Sequence, residues 1–193
     1  MAIRNSPILD QIAPFNATRF DTCMAYFCEH HGRELTQYDM VKLHLMTDIF
    51  HALEHGKPVI GGSVQAWDFG PVIDQAYRRV KHWDYSHDET GSHPETLRIS
   101  NRSGSSCKFT NSVSVDSDEF SESELNAMER AWDSFMHMSW NESQQFFHQD
   151  SFVGQAWLKA RQEQRNIDWD DIIDEYDREY GTNHQHIKAL IRF

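Results

Sequence analysis

The chain has 193 residues, of which 39% are hydrophobic, and carries 30 acidic against 18 basic side chains, a formal net charge of −12. Twelve Phe, six Trp and six Tyr can fill a sizeable core, which excludes an intrinsically disordered protein. No apolar run approaches the roughly 20 residues that span a bilayer, the N-terminus lacks a secretory apolar segment, and three cysteines form no disulfide framework, so we expect a cytoplasmic protein without a membrane partner.

The acidic excess is confined to one part of the sequence. Residues 116–181 hold 17 acidic and 5 basic side chains, which leaves 13 of each sign elsewhere. A field of this sign repels nucleic-acid phosphates, so we expect no nucleic-acid partner. It favours encounter with a basic partner protein, although ordinary solvated helix faces give the same charge pattern.

The first predicted elements are an N-terminal arm and a helix. Residues 1–14 form the arm, which ends at Pro14. Asn16 or Thr18 can cap the helix, and its apolar side chains repeat at helical spacing up to Gly32.

Two cysteines and two histidines fall in or near this first helix. Cys23, Cys28, His30 and His31 are all possible metal ligands. Their spacing matches no common zinc motif, so the favoured interpretation is that the cysteines are buried free thiols on an amphipathic helix.

A second helix is predicted by signals at both of its ends. Thr36 is a good N-cap with Asp39 at the capping-box position, and Gly56 followed by Pro58 marks the C-terminal end. The apolar side chains that share one broad face of this helix are Leu43, Leu45, Met46, Ile49, Phe50 and Leu53. Such a face predicts a helix that packs against the core.

The opposite side of the same helix carries a polar stripe. His44, Asp48, His51 and His55 follow one another at one-turn spacing. The favoured interpretation is a solvated or hydrogen-bonded face. Four ligands on one straight helix spread too far along its axis to meet at one ion, so we expect no metal here, although two of them with ligands from elsewhere could still form a site.

A glycine-rich corner and a third helix are predicted next. Gly61 and Gly62 allow a tight turn or a close backbone approach, and residues 67–69 are a short extended piece. Gly70 and Pro71 are predicted to start the third helix, because the missing N–H of proline costs nothing at the first helical position. The apolar stripe of that helix would consist of Val72, Ile73, Ala76, Tyr77 and Val80.

The middle of the chain predicts a hairpin followed by helices. Residues 96–99 and 107–115 flank a Gly/Ser-rich turn and contain β-forming residues, so a small antiparallel hairpin is expected. Ser121, with Glu124 at the capping-box position, begins an amphipathic helix. A short helix ending near His148 comes after it.

The C-terminal part completes a fold that is predicted to be mainly α. Residues 167–181 form an acidic amphipathic helix, and a final short helix follows. We therefore expect a compact domain of about six to seven helices with a small antiparallel β-hairpin. Its parts would be the arm (1–14), a helical domain (15–160) and an acidic extension (161–193) packed on or near that domain.

The run K-L-H-L-M-T-D-I-F-H-A-L-E-H-G-K-P-V-I-G-G-S-V-Q-A-W-D-F-G-P-V-I-D-Q-A-Y (42–77) resembles the signature of the Panacea domain, the SocA-like antitoxin family. That signature joins a helix containing Asp and His to a glycine-rich corner and an aromatic-rich turn ending in G-P-V. The matching positions are Asp48, His51, Gly56, Pro58, Gly61, Gly70, Pro71 and Val72. Residues 120–135 and 140–157 are similar to two later motifs of the family.

The resemblance implies an antitoxin and not an enzyme. It implies a cognate toxin that is encoded by a neighbouring gene and neutralised through direct contact. Delivery of that toxin to a protease is a possible second role. The residues that the resemblance marks as a signature or for partner contact are Asp48, His51, Gly61, Trp67, Phe69, Gly70, Pro71 and Val72. Asp48 and His51 have an alternative structural role, in which Asp48 hydrogen-bonds the backbone of the 61–70 connector and His51 braces it.

Two other functions stay open. The first is a phage-encoded protein that blocks a host defence protein. The second is a metal-dependent hydrolase built on Asp48 and His51. The sequence contains no G-x-S-x-G or H-E-x-x-H motif, so we expect no catalytic residue and no cofactor.

Overall fold

The computed structural model describes residues 13–83, 96–103 and 106–191, which form eight α-helices and five short strands. The helices are α1 (Ala17–His30), α2 (Gln37–His55), α3 (Asp74–Lys81), α4 (Glu122–Phe135), α5 (Trp140–Gln145), α6 (Phe152–Gln162), α7 (Trp169–Tyr180) and α8 (Gln185–Ile191). The strands are β1 (Leu35–Thr36), β2 (Val64–Trp67), β3 (Gly70–Ile73), β4 (Leu97–Ser103) and β5 (Ser106–Asn111). The mainly α class is confirmed, with eight helices where six to seven were expected.

Helix α2 lies at the centre of the core. Thr36 and Asp39 form the predicted capping box, and Gly56 ends the helix in the left-handed conformation with φ of 69°. Residues 40–53 are all buried, on every side of the helix. The polar stripe opposite the apolar face is therefore largely shielded from solvent, and only its last member, His55, is exposed.

The predicted hairpin is confirmed as β4 and β5, and β1 adds a third antiparallel strand to it. Leu35 of β1 pairs with Phe109 of β5, and both side chains are buried in the core. The sulfur of Cys28 on α1 lies 3.6 Å from the Phe109 carbonyl oxygen. Cys23 and Cys28 are buried free thiols, as expected, and burial raises the pKa of Cys28 to about 11.

The expectation that Gly70 and Pro71 start a helix is wrong. They begin strand β3, which pairs with β2 in a second, two-stranded sheet, and helix α3 starts only at Asp74. Gly70 has φ of +93°, a value suited to closing a tight hairpin after Asp68 and Phe69. Pro71 is tolerated because a two-stranded sheet consists of edge strands only.

Helices α4 to α6 pack around α2 and the second sheet. The predicted capping box of Ser121 and Glu124 begins α4. A π-helical turn (Phe146–Asp150) joins α5 to α6 and buries Phe147 beside Phe135, with ring centroids 5.1 Å apart.

The C-terminal helices contribute to the same hydrophobic core. Ile172 and Ile173 of α7 and Ile187 of α8 are almost fully buried within it. Part of the acidic charge is neutralised internally, because Asp171 of α7 pairs with Lys159 at 2.6 Å and also with Arg165.

The N-terminal arm falls mostly outside the described residues, which begin at Ala13. The N–H of Gly62 donates to the Ala13 carbonyl at 2.9 Å, and the N–H of Asn16, the N-cap of α1, donates to the Ile60 carbonyl. Residues 13–16 therefore lie against the corner that follows α2. Among the described helices, none is long and apolar enough to cross a membrane.

Candidate functional site

A buried carboxylate closes the corner after α2. The Oδ1 atom of Asp48 accepts hydrogen bonds from the backbone N–H groups of Val59 at 2.9 Å and Ile60 at 2.7 Å. Its Oδ2 atom accepts the N–H of Gly61 at 2.8 Å. Asp48 was expected to bind the backbone of the 61–70 connector, and it does so at Gly61, while its other two bonds go to the residues just before that connector. Each bond to an ionised group contributes about 1.5–3 kcal/mol, so this cluster strongly favours one corner conformation.

His44 and Gly61 complete this Asp48 cluster. The Nε2–H group of His44 is shared between Asp48 Oδ2 and the Gly61 carbonyl oxygen, each 3.0 Å away. Gly61 has φ of +86°, and a Cβ added there would lie 2.7 Å from the carbonyl oxygens of Ala13 and Pro14. Only glycine fits this position, which explains in physical terms why the chain has Gly61 here.

His51 braces the corner against α4. Its Nδ1–H donates to the Lys57 carbonyl at 2.7 Å, so Nε2 is the acceptor for the Ser123 hydroxyl at 3.2 Å. Burial lowers the pKa of His51, and the neighbouring His55 acts in the same direction, although the bond to the Lys57 carbonyl opposes the shift. The neutral imidazole thus links the corner to α4 as a structural group.

The polar stripe is not arranged as a metal centre. Both Asp48 oxygens already accept N–H groups, which an ion would have to displace. Within the part of the chain that the structure describes, His44, Asp48, His51 and His55 do not bring three ligand atoms to one point.

A groove of about 670 Å³ opens on another side of α2. Its walls are the N-terminal half of α2, the β2–β3 hairpin and the segment that joins α4 to α5. The residues that form most of its lining are Tyr38, Val41, Lys42, Trp67, Phe69, Gly70, Val72, Tyr77, Phe135, Met136, Met138 and Trp140. The lining is therefore mainly apolar and aromatic.

Exposed hydrophobic side chains are concentrated at this groove. Phe69 is 77% exposed at the tip of the β2–β3 hairpin, and Trp140 is 60% exposed at the start of α5. With Met138, they account for three of the six exposed large hydrophobic side chains among the described residues. Phe69, Met138 and Trp140 are called the apolar rim below.

Lys42 fixes the hairpin from inside the groove. Its Nζ donates to the Pro71 carbonyl at 2.6 Å and to the Phe69 carbonyl at 3.4 Å, and it lies 4.6 Å from the centre of the Phe147 ring. The side chain is buried, and none of the ion pairs between described residues includes it. This desolvation lowers the pKa of Lys42 to about 7.

Helix α6 holds the hairpin from the other side. The Trp157 indole N–H donates to the Trp67 carbonyl at 2.8 Å. Arg161 pairs with Asp68 at 2.7 Å and donates to the Ala66 carbonyl at 3.2 Å. The exposed ring of Phe69 thus stands on a turn that is fixed on both flanks.

The sequence-predicted site residues fall into two places. Trp67, Phe69, Gly70 and Val72 line the groove, and Pro71 supplies the carbonyl that Lys42 binds. In contrast, Asp48, His51 and Gly61 belong to the corner and do not line the groove.

Comparison with known families identifies the chain. A sequence model described as Antitoxin SocA-like, Panacea domain, matches residues 40–152, more than half of the chain. The chain belongs to the Panacea-domain family of SocA-like antitoxins. Searches of curated proteins and of solved structures gave no match.

The match covers the structural parts described above. In this Panacea domain it runs from α2 to the first residue of α6, and so includes the Asp48 cluster, the hairpin and the apolar rim. Helix α7, which carries six acidic side chains, and helix α8, which carries none, lie outside the matched range.

Sequence reasoning missed three groove residues of this Panacea domain. Lys42 lies one turn before Met46 and two turns before Ile49, so it is a charged residue on the apolar face of α2. That unusual position could have marked Lys42 as a candidate site residue. Met138 and Trp140 flank Ser139, the N-cap of α5. Large apolar residues at a helix start, where polar ones are usual, were the second signal.

We expect Asp48→Asn to lower the free energy of unfolding by about 2–4 kcal/mol. An amide offers one acceptor oxygen, and its NH₂ group would point a donor at a backbone donor. Urea unfolding measures the loss, with Asp150→Asn, at an exposed position, as the control. An Asp48→Asn protein as stable as the control would show that the carboxylate does not hold the corner.

Lys42→Met should remove a pH dependence of stability. Because the pKa of Lys42 is about 7 in the folded protein and near its ordinary 10.5 when unfolded, the unfolded chain binds more protons between these values. Wild-type stability, measured relative to Lys42→Met, should therefore rise from pH 7 to pH 10. Lys57→Met controls for the loss of an exposed positive charge. A stability difference between the wild type and Lys42→Met that does not change between pH 7 and pH 10 would contradict the lowered pKa of Lys42.

Proposed function

We propose that this Panacea domain neutralises a cognate toxin by direct binding, and that the apolar rim of the groove is the contact surface. The family assignment supports an antitoxin-like role, and with it a toxin partner in general. The observation that carries the finer proposal is the concentration of Phe69, Met138 and Trp140 at one groove.

The rim has the properties of an interface hot spot. Hot spots are enriched in aromatic side chains that are held in place before the partner arrives, which limits the entropy lost on binding. Trp140 packs against Tyr38 with ring centroids 4.8 Å apart. Phe69 stands on the hairpin that Lys42 and Arg161 fasten.

The polar groups of the groove favour a protein partner over a small ligand. Small-molecule sites need a few free polar groups to orient the ligand. Here Lys42 is bound to hairpin carbonyls, Asp39 belongs to the capping box, and Arg33 donates to the Met136 carbonyl at 3.1 Å. Gln37 is the exception, because its buried Nε2 has no hydrogen-bond partner among the described residues. Most of the surface left for contact is apolar, and it suits an aliphatic or aromatic side chain of another polypeptide.

Charge supports a basic toxin. The acidic excess of residues 116–181 would steer a basic surface towards the domain. Internal pairs such as Asp171 with Lys159 reduce this field without removing it. The proposal places toxin and antitoxin together in the cytoplasm, with the toxin gene beside this one. A protease-adaptor role would be a further use of the same complex.

Co-expression with the neighbouring reading frame tests this function. The neighbour should be toxic alone, and this protein should restore growth through a complex that survives size exclusion. The double variant Phe69→Ala/Trp140→Ala should raise the Kd at least about 30-fold, equivalent to about 2 kcal/mol, because hot-spot truncations cost that much or more. Its Tm should stay close to that of the wild type.

The matched control is Val113→Ala/Leu190→Ala, which removes two exposed hydrophobic side chains outside the groove. Equal affinity of the rim and control variants would refute the groove as the contact surface and leave antitoxin activity intact. A harmless neighbour, or rescue of growth without any complex, would refute the function itself. Capture of a host defence protein in place of the neighbour would favour the phage-inhibitor alternative.

A further inference from the structure

A second cluster of histidines, outside the polar stripe and the groove, lies where the end of α1 faces α4. The Nε2 atom of His30 is 3.4 Å from Oε1 of Glu129, and the Nε2 atom of His31 is 3.6 Å from the same oxygen. One potential ligand atom from each of the three residues lies within 4.8 Å of the other two. Two imidazoles and one carboxylate thus converge on one point.

These separations fit the edges of a coordination tetrahedron. Zn²⁺ binds imidazole nitrogen and carboxylate oxygen at about 2.0–2.2 Å, so neighbouring ligand atoms in a tetrahedral site are about 3.3–3.5 Å apart. The contacts of His30 and His31 with Glu129 are already close to that spacing. Two His and one Glu form a common zinc-binding set when water takes the fourth position.

The histidines are held in this orientation by other side chains. The Tyr26 hydroxyl lies 3.4 Å from Nδ1 of His30, and the two rings stack with an interplanar angle of 13°. His31 lies flat on Trp132, with ring centroids 3.6 Å apart. Ligating histidines are usually oriented by a contact to the second ring nitrogen. Tyr26 makes such a contact to His30, which leaves Nε2 of His30 for the metal.

Two of the converging atoms lack a hydrogen-bond partner. Nε2 of His31 and Oε1 of Glu129 are buried, and neither makes a hydrogen bond within the described residues. Buried polar atoms usually have a partner, and a bound cation is one of the groups that can supply it. A cation bound between them would satisfy both.

We propose that His30, His31 and Glu129 bind one divalent transition-metal ion, with Zn²⁺ as the natural candidate and water as the fourth ligand. The ion links the C-terminal end of α1 to the middle of α4 and stabilises their packing. Asp133 follows Glu129 by one turn of α4 and places a second negative charge close to that carboxylate. This proposal is independent of toxin binding.

Zn²⁺ binding to the full-length chain tests the proposal, using protein without a polyhistidine tag that has been stripped with a chelator. Competition with a chromophoric chelator should give one equivalent of bound Zn²⁺. At a Zn²⁺ concentration 100 times the Kd, the Tm should rise by about 5–10 °C. Co²⁺ in its place should give the visible absorption bands of a tetrahedral site.

His30→Ala and Glu129→Gln should each weaken Zn²⁺ binding at least about 100-fold, because loss of a ligand exceeds the 10–100-fold effect of an outer contact. The control His55→Ala/Glu54→Gln removes another His–Glu contact, at 3.8 Å, together with the ion pair of Glu54 with Arg130. It keeps all three proposed ligands and should bind Zn²⁺ like the wild type. Tyr26→Phe, which keeps all three ligands, should reduce affinity by about 10-fold and report on the site if a ligand variant unfolds.

Three results would overturn the proposal. One is the absence of saturable binding. Another is Zn²⁺ affinity that His30→Ala and Glu129→Gln leave unchanged. The third is an equal loss of affinity in the His55→Ala/Glu54→Gln control, which would indicate diffuse binding by a histidine-rich chain.

Discussion

The hydrogen bonds from three consecutive backbone N–H groups to the buried carboxylate of Asp48 fix the path of the chain after α2. They turn residues 59–61 back over the polar side of α2, so that this helix is buried on every side. The corner in turn receives residues 13–16 and leads directly into β2. Without that carboxylate, the N–H groups of Val59, Ile60 and Gly61 would lose their hydrogen-bond acceptor.

Lys42 has the complementary role on another face of the same helix. Asp48 accepts hydrogen bonds from backbone donors, whereas Lys42 donates to the carbonyls of Phe69 and Pro71. Burying either charge is unfavourable in itself, and removing one partner from such a contact is strongly destabilising. Two charged side chains of one helix therefore specify the two irregular segments on either side of β2, and the second of them carries the exposed ring of Phe69.

Local signals in the sequence predicted the elements whose ends are determined locally. The caps at Thr36, Gly56 and Ser121 were correct because capping depends on residues three or four positions apart. The predicted helix start at Gly70 and Pro71 was wrong because the same pair also suits the beginning of the second strand of a hairpin. The Lys42 bond to the Pro71 carbonyl, made across 29 positions, belongs to the hairpin alternative and is invisible to local reasoning.

The candidate sites show the same division between local and distant contacts. The 42–77 segment carried the family signature, but the apolar rim joins Phe69 to Trp140, which lies 71 positions later in the chain. His30 and His31 were considered as ligands with two cysteines, whereas the structure places Glu129 of α4 beside them. In both cases the partner comes from a distant part of the chain, which spacing along the sequence cannot reveal.

Native-state amide hydrogen exchange at residues 59–61 measures the strength of the Asp48 cluster most directly. If the carboxylate fixes the corner, the N–H groups of Val59, Ile60 and Gly61 should exchange only through global unfolding, with the same opening free energy as the slowest amides of α2. Rapid exchange at these three positions, in a protein whose α2 amides stay protected, would contradict the account.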